Sequence, residues 1–331
     1  MKIAIIGAGA IGGYLGAKLA LAGEDVTFLV RGANLQAIAA NGVRLILADG
    51  SEQVARNVRA SNDYRAVGAH DVVVLAMKAH QLGAVAGDVP LLCGPQTVIV
   101  PMQNGLPYWY FHKLKGPFEG HTLQSVDPEG RIGRAIAPDN VLGCVVYPAS
   151  ELVAPGVVRH IEGDRFPLGE LDGSASVRAQ RVSDTLVRAG FKAPLLDDIR
   201  SEIWLKLWGN STFNPVSALT RATLEDICRF APTRELAAFM MGEAQQVAAK
   251  LGVTFRVSID RRIAGAEKVG AHKTSMLQDI EAGREPEIEA LVGSVVELAR
   301  LTDTPTPHID AVYALTRLLG RCVSAQTLTA G

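Results

Sequence analysis

Lys2-Ile3-Ala4-Ile5-Ile6-Gly7-Ala8-Gly9-Ala10-Ile11-Gly12 is the stretch on which the reading of the fold turns. Residues 2–6 are a short apolar run ended by glycine, the pattern of a strand buried on both faces, and residues 10–22 carry helix-forming alanines and leucines. Residues 7–12 fit G-x-G-x-x-G. The first glycine permits a tight turn, the second lets backbone approach a pyrophosphate, and the third lets helix and strand pack closely. The helix N-terminus then offers free N–H groups to phosphates. Glycine turns between strand and helix are common, but a second strand over residues 25–30 completes the start of a βαβ unit. Gly7, Ala8, Gly9, Ala10, Ile11 and Gly12 are therefore read as dinucleotide-binding.

Outward from this unit, apolar runs at 71–77 and 97–101 predict two more buried strands, with a segment at 80–89 that can be helical. Strands alternating with helices imply a mostly parallel, doubly wound sheet. Between 105 and 140 the period dissolves into Pro107-Tyr108-Trp109-Tyr110 and a Gly-, Pro- and His-rich stretch, expected as a surface lobe or lid. Residues 141–147 and 157–161, joined across Ala154-Pro155-Gly156, predict an antiparallel hairpin at the sheet edge. A helix at 176–189 and a last strand at 193–196 follow. From residue 198 strand signals nearly vanish, and helices are predicted at 199–219, 233–251, 259–269, 286–301 and 308–319. The expected fold is thus an α/β Rossmann-type N-terminal domain, residues 1–197, followed by an all-α C-terminal domain, residues 198–331.

The bulk properties agree with an ordinary globular chain of two domains. There are 331 residues, 48% hydrophobic and 20% charged. Thirty-three basic against 34 acidic residues leave a net charge of −1, so no global field favours nucleic acid or an anionic membrane. Any anionic ligand must be held locally. Cys93, Cys144, Cys228 and Cys322 lie far apart and read as free thiols in a reducing cytoplasm. No run approaches the ~18 apolar residues of a membrane span, and the N-terminal run is too short for a signal peptide. The seven histidines form no H-E-x-x-H or related ligand pair, so no metal is expected.

An NAD-specific site places Asp or Glu at the end of the second strand, where it would repel a 2′-phosphate. Here that place holds Val30-Arg31-Gly32, and a guanidinium suits the phosphate of NADPH. Lys78 and Asn104 lie just beyond the carboxyl ends of two predicted parallel strands, the edge along which ligands of open α/β sheets bind. A lysine after a strand is often merely exposed, and Asn-Gly is also a favoured turn.

In the second half, Lys206, Asn210 and Asn214 are spaced i, i+4, i+8 and fall within an ~80° arc of one helix. Trp204, Leu207, Trp208 and Phe213 flank the arc, so the polar stripe is expected to be partly enclosed. A lysine on a helix is ordinarily a solvated charge, but a nicotinamide enzyme reducing a carbonyl needs a proton donor, and an ammonium can serve. Ser275-Met276-Leu277-Gln278 also fits a capping box, and Glu287 follows Pro286 in what reads as a helix's first turn.

These segments, in this order and over nearly the whole chain, resemble the ketopantoate reductase family (2-dehydropantoate 2-reductases). The resemblance implies an NADPH-binding Rossmann domain, a helical domain, an active site in the cleft between them, and reduction of a 2-keto acid, 2-dehydropantoate, to pantoate on the route to coenzyme A. Carried over by position, Lys206 is the proton donor, with Asn210 and Asn214 on the substrate. Ser275 is expected at the substrate carboxylate, Glu287 near the nicotinamide ribose and substrate, and Lys78, Asn104 and, more weakly, Ala149 at the cofactor. A homodimer through the helical half is a further expectation. Two departures bear on which 2-keto acid is used: the long 107–140 stretch, and Leu224 where some members have a substrate-contacting asparagine. The rival readings are a paralogous NADPH-dependent reductase of another 2-keto acid, another two-domain hydroxyacid dehydrogenase, and a non-catalytic NADPH sensor.

Overall fold

The computed structural model describes residues 1–330. The chain divides into two compact units. The first comprises Met1–Gln103, Tyr108–Thr122 and Glu129–Ile199, and the second Asn104–Pro107, Leu123–Pro128 and the chain from Arg200 onward.

In the first unit β1 (Lys2–Ile6) leads into α1 (Ala10–Leu21), then β2 (Asp25–Leu29), α2 (Gly32–Asn41), β3 (Val43–Ile46), β4 (Glu52–Ala55), β5 (Val58–Ser61), the one-turn α3 (Tyr64–Val67), β6 (His70–Leu75) and β7 (Cys93–Pro101). Five strands form one sheet in the order β5-β2-β1-β6-β7, every pairing parallel. Ile3, Ala4, Ile5 and Ile6 are all buried, as a strand covered on both faces requires. β1 is the middle strand, and the chain winds away from it in both directions, so the topological switch point falls at its carboxyl end, where Gly7 begins the glycine turn.

The segment expected as a helix at 80–89 is instead two 3₁₀ helices, Ala79–Ala84 and Ala86–Leu92. Gly83 and Gly87 weaken a helical ladder here, and Pro90 removes a donor from it.

Beyond β7 come α4 (Arg131–Ala135), β8 (Gly143–Cys144), β9 (Ala149–Ala154), β10 (Val157–Glu162), β11 (Leu168–Gly169) and α5 (Val177–Arg188). The predicted hairpin turns where expected, with Gly156 at φ 71°, but its outgoing arm is β9 rather than 141–147. The hairpin joins a second sheet, β4-β3-β10-β9, that the sequence reading did not anticipate. The apolar 141–147 run is buried and carries β8, which pairs with β11, while Val141 bridges Ile99 of β7. Residues 151–154 face solvent, so a reading that follows apolar runs picks the wrong arm. The expected strand at 193–196 is reduced to isolated bridges, Leu168 to Leu195 and Arg165 to Lys192.

Most of the 105–140 stretch lies at the surface, as expected, but a buried set of side chains pins it. Trp109, Tyr110, Phe111 and Leu123 are all nearly fully buried, and the Trp109 ring approaches Gly143 so closely that a Cβ there would lie 3.0 Å from it. A buried buttress over β8 and β11 comes from Glu170. It accepts from Arg178 (Nε 2.7 Å, Nη2 2.6 Å) and Ser176, while Arg178 also donates to the Asp139 carbonyl. Burial alone would raise the Glu170 carboxyl, but the hydrogen bonds from Arg178 and Ser176 outweigh it and hold the group below the usual carboxylate range.

The second unit is helical: α6 (Ile199–Thr220), α7 (Leu224–Arg229), α8 (Ala231–Lys250), α9 (Ile259–Lys268), α10 (Ser275–Glu281), a π-helical turn (Glu289–Gly293) running into α11 (Ser294–Leu301), and α12 (Pro307–Ala330). α7 is too short to show a period and was not expected, while α10, also short, was signalled only by the capping-box pattern at Ser275. α6 is anchored by Trp208, which is buried, donates from Nε1 to the Met241 carbonyl (2.8 Å) and stacks on Phe255 at 4.1 Å. The buried Glu243 carboxylate of α8 accepts from the backbone N–H groups of His308 (3.0 Å) and Ile309 (2.9 Å), neutralising the positive end of α12. Among the described residues no helix is long and apolar enough to cross a membrane.

Candidate active site

The first unit builds a candidate cofactor cradle from backbone. Gly7, at φ 97°, turns the chain out of β1, and its N–H donates to the Leu29 carbonyl at 3.1 Å. A Cβ at Gly12 would lie 2.0 Å from the Gly7 carbonyl oxygen and 2.9 Å from the Ala76 Cβ, so only glycine closes this strand–helix contact. At Gly9 a Cβ would meet nothing within 4 Å. This glycine is the N-cap of α1 and supplies no capping side chain, so the amides of the first turn face an open cradle. Open space at the second glycine and steric necessity at the third are what a dinucleotide pyrophosphate requires, and the residues present fit one.

Asn34 also shapes the loop, though the sequence reading passed it over. Its Nδ2 donates to the Ala8 carbonyl (3.1 Å) while its Oδ1 accepts from the Gly156 N–H (3.0 Å), tying the glycine turn to the β9–β10 hairpin. Gln103 was missed as well. Its Nε2 donates to the carbonyls of Leu75 (2.8 Å) and Met77 (3.1 Å), fixing the end of β6 just before Lys78. Neither belongs to a short motif, and each is recognisable only once the strands are placed. Arg31 is exposed at the entry to α2, as a contact to a protruding phosphate requires. Lys78 is half-buried where the first 3₁₀ helix begins, and Ala149 opens β9.

The second unit uses side chains. Lys206 is half-buried on α6, and its Nζ donates to Oδ1 of Asn104 at 2.6 Å across 102 residues of sequence. Asn210 is half-buried and Asn214 is buried, at 5% exposure, along the same face. Trp204, Leu207, Trp208 and Phe213 around them are all nearly fully buried, so the stripe is enclosed in apolar surroundings. The Asn104 carboxamide thus helps hold the ammonium in place on α6.

Ser275 departs from its capping expectation, whereas Glu287 lies at the start of a helix, as expected. Thr274, not Ser275, caps α10, accepting from the Leu277 N–H at 3.3 Å. Ser275 is exposed as the first residue of that helix, so the cap begins one residue earlier than the motif suggested. Glu287 is half-buried at the entry to the π-turn, and its carbonyl accepts from the Leu291 N–H at 3.3 Å. Lys206 and Asn104 are in direct contact. Asn210 and Asn214 share their helix, and Ser275 and Glu287 stand at the starts of two others.

A Rossmann-type sheet with an open glycine cradle, together with a helical unit carrying an anchored ammonium, defines the class of nicotinamide-dependent oxidoreductases with a helical second unit. Comparison with known proteins narrows this. Residues 3–173 match the family described as Ketopantoate reductase PanE/ApbA, and residues 198–320 match Ketopantoate reductase PanE/ApbA C terminal. A 2-dehydropantoate 2-reductase of Mesorhizobium japonicum is 56% identical, covering 96% of this chain and 98% of its own. Among solved structures, a candidate ketopantoate reductase from Ralstonia solanacearum is 44% identical, with a TM-score of 0.93 over 97% of this chain and 98% of its own. The 2-dehydropantoate 2-reductase of Methylococcus capsulatus is 28% identical, with a TM-score of 0.83 over 98% of each chain. The chain belongs to the ketopantoate reductase family.

Proposed function

We propose that this chain reduces 2-dehydropantoate to pantoate with NADPH, using Lys206 as the proton donor. The observation that carries the reading is the Lys206 ammonium, 2.6 Å from the Asn104 carboxamide and flanked on its helix by buried Trp204, Leu207 and Trp208, in a chain 56% identical to a 2-dehydropantoate 2-reductase. Bound NADPH supplies the hydride that reduces the 2-keto carbon.

The chain's own groups do the rest. Gly7, Ala8, Gly9, Ala10, Ile11 and Gly12 hold the pyrophosphate with backbone amides, Arg31 takes the 2′-phosphate, and Lys78, Asn104 and Ala149 border the cofactor. Lys206 stabilises negative charge growing on the keto oxygen and delivers its proton there, giving the alcohol. It is then reprotonated from solvent. Asn210 and Asn214 orient the substrate, Ser275 receives its carboxylate, and Glu287 accepts from hydroxyls of the substrate or the nicotinamide ribose. The division of labour is 1–197 for cofactor and 198–331 for substrate, with residues 104–107 and 123–128 serving the helical unit, with which they pack.

The reading extends to a cytoplasmic enzyme that pairs through its helical unit. Four free thiols support the first point, and exposed Leu315 and Leu318, one turn apart on α12, support the second. Sedimentation of the purified protein checks the pairing. The test of function is a 2-keto acid panel that includes 2-dehydropantoate, run with NADPH and with NADH. The highest kcat/KM is expected for 2-dehydropantoate with NADPH, and preference for a substrate lacking the 2-keto acid group contradicts the reading.

A further inference from the structure

One element of the helical unit has no part in the chemistry just described, yet it touches both segments that the unit borrows from the N-terminal half. Between Glu287 and α11 the helix widens into the π-turn Glu289–Gly293, where the Ser294 N–H donates to the Glu289 carbonyl five residues back. An inserted residue of this kind costs helix stability and persists where something holds it. Here the neighbouring Ala290 carbonyl accepts two hydrogen bonds from outside the helix's amide ladder. One is from the Leu106 N–H at 3.0 Å and the other from the Ser294 hydroxyl at 2.7 Å.

The contact with the borrowed segment is close. Gly105, at φ 89°, lies so near the π-turn that a Cβ there would fall 2.1 Å from the Ala290 oxygen and 2.5 Å from its carbonyl carbon. Residue 105 must therefore be glycine, and its neighbour Asn104 is the acceptor for Lys206. About two turns beyond Ala290, Glu297 of α11 accepts from the backbone N–H groups of Gln124 and Ser125, both at 2.8 Å, so the same helix clamps the second borrowed segment.

The widened turn has its own lock. Tyr313 of α12 donates its hydroxyl to Glu289 Oε2 at 2.6 Å, and Arg317 pairs with Oε1 at 3.2 Å. A Cβ at Gly293 would lie 2.4 Å from that same Oε2 and 3.0 Å from the Tyr313 oxygen, so the absence of a side chain at Gly293 makes room for the lock. The Tyr313 hydroxyl, pushed up to about 12 by burial and then by its bond to Glu289, stays a donor across any assay range.

We propose that the π-turn Glu289–Gly293 is a positioning device for the proton donor: locked by Tyr313 and made possible by Gly293, it presents the Ala290 carbonyl that fixes Gly105 and Leu106, and so holds Asn104 against Lys206. Tyr313, Gly293 and Gly105 are positioning residues, none of which needs to touch substrate. The inference rests on the function proposed above, because it is the Lys206 ammonium whose aim is being set. It deepens that reading by explaining why an Asn-Gly pair at the end of a Rossmann strand is matched to a helix irregularity some 185 residues away in the chain.

The test is a double-mutant cycle with a second readout that does not depend on turnover. Tyr313→Phe removes only the hydroxyl, and Gly293→Ala crowds the lock from the other side. In the wild-type background each is expected to lower kcat on the best 2-keto acid by roughly tenfold, the scale of effect that small misplacements produce, with NADPH affinity unchanged. In an Asn104→Ala background the same changes are expected to have less than about a twofold effect, because the group through which they act is already gone. Equal losses in both backgrounds, or no loss in either, overturn the proposal. In parallel, amide exchange of the peptide spanning 103–108 is expected to quicken in Tyr313→Phe, and unchanged exchange there overturns the mechanical link whatever the substrate proves to be. If the link holds in exchange while wild-type protein reduces no 2-keto acid, the functional reading fails and the positioning of Asn104 by the π-turn stands.

Discussion

The glycine turn of the first unit and the polar stripe of the second do comparable work by opposite means. The turn is made of backbone within six consecutive residues, and its logic is steric: Gly12 has no room for a Cβ, while Gly9 faces open space. The stripe is made of side chains, and its logic is tertiary, since Lys206 is aimed by an asparagine 102 residues away. A backbone site survives any substitution that leaves its conformation alone. A side-chain site fails when its one reacting group is removed, whatever happens to the fold.

That contrast is open to direct attack, beginning where the effect is largest. Lys206→Ala is expected to lower kcat by about 10²- to 10³-fold, the range found when a single preorganised donor is lost, with NADPH affinity within about twofold of wild type by fluorescence titration. Gly12→Ala is expected to do the reverse, weakening NADPH by about tenfold or more through the clash with the Gly7 carbonyl. At saturating cofactor its kcat should stay near wild type. A Gly12→Ala protein that binds NADPH normally breaks the steric side of the comparison. Arg31→Glu should shift the ratio of NADPH to NADH efficiency by roughly tenfold toward NADH, since a carboxylate repels the 2′-phosphate. An unchanged ratio removes Arg31 from the site. Asn34→Ala, which frees the Ala8 carbonyl and the Gly156 N–H, is expected to weaken NADPH only a few-fold, about 1 kcal/mol, with kcat unaffected.

The smallest effect concerns stability alone. Because Glu170 titrates below its ordinary range in the folded protein, the stabilisation it gives is present at neutral pH and is lost as pH falls below about 4.3 and through the folded value. The melting temperature should therefore drop more steeply between pH 5 and pH 3 in wild type than in Glu170→Gln. Parallel slopes would show that the carboxylate's charge is not what the buttress uses.

How much was legible in the sequence follows the same division. The glycine turn, the parallel strands around it and the long helices α6, α8 and α12 were readable, because each is dictated by local sterics or by a period sustained over several turns. The 105–140 stretch was legible as surface chain but its anchor was not, because the anchoring residues follow no period: Trp109, Tyr110, Phe111 and Leu123 are buried by irregular backbone, which leaves no periodic trace. The β9–β10 hairpin was half right, since its turn is local chemistry but its exposed outgoing arm lacks an apolar run. In the site, the spacing of Lys206, Asn210 and Asn214 showed that a polar face exists. Its partner Asn104, the Asn34 bridge, Gln103 and the clamp at Gly105 depend on contacts between distant segments, and no window of sequence contains both halves of any of them.

The most direct test of the central claim is to follow NADPH oxidation by Lys206→Ala protein with saturating 2-dehydropantoate, with and without added methylammonium. The account predicts normal NADPH binding, turnover lowered by orders of magnitude, and partial recovery when the small amine is supplied to the emptied position. Oxidation at the wild-type rate without the amine would contradict it, because the proton would then be coming from somewhere other than residue 206.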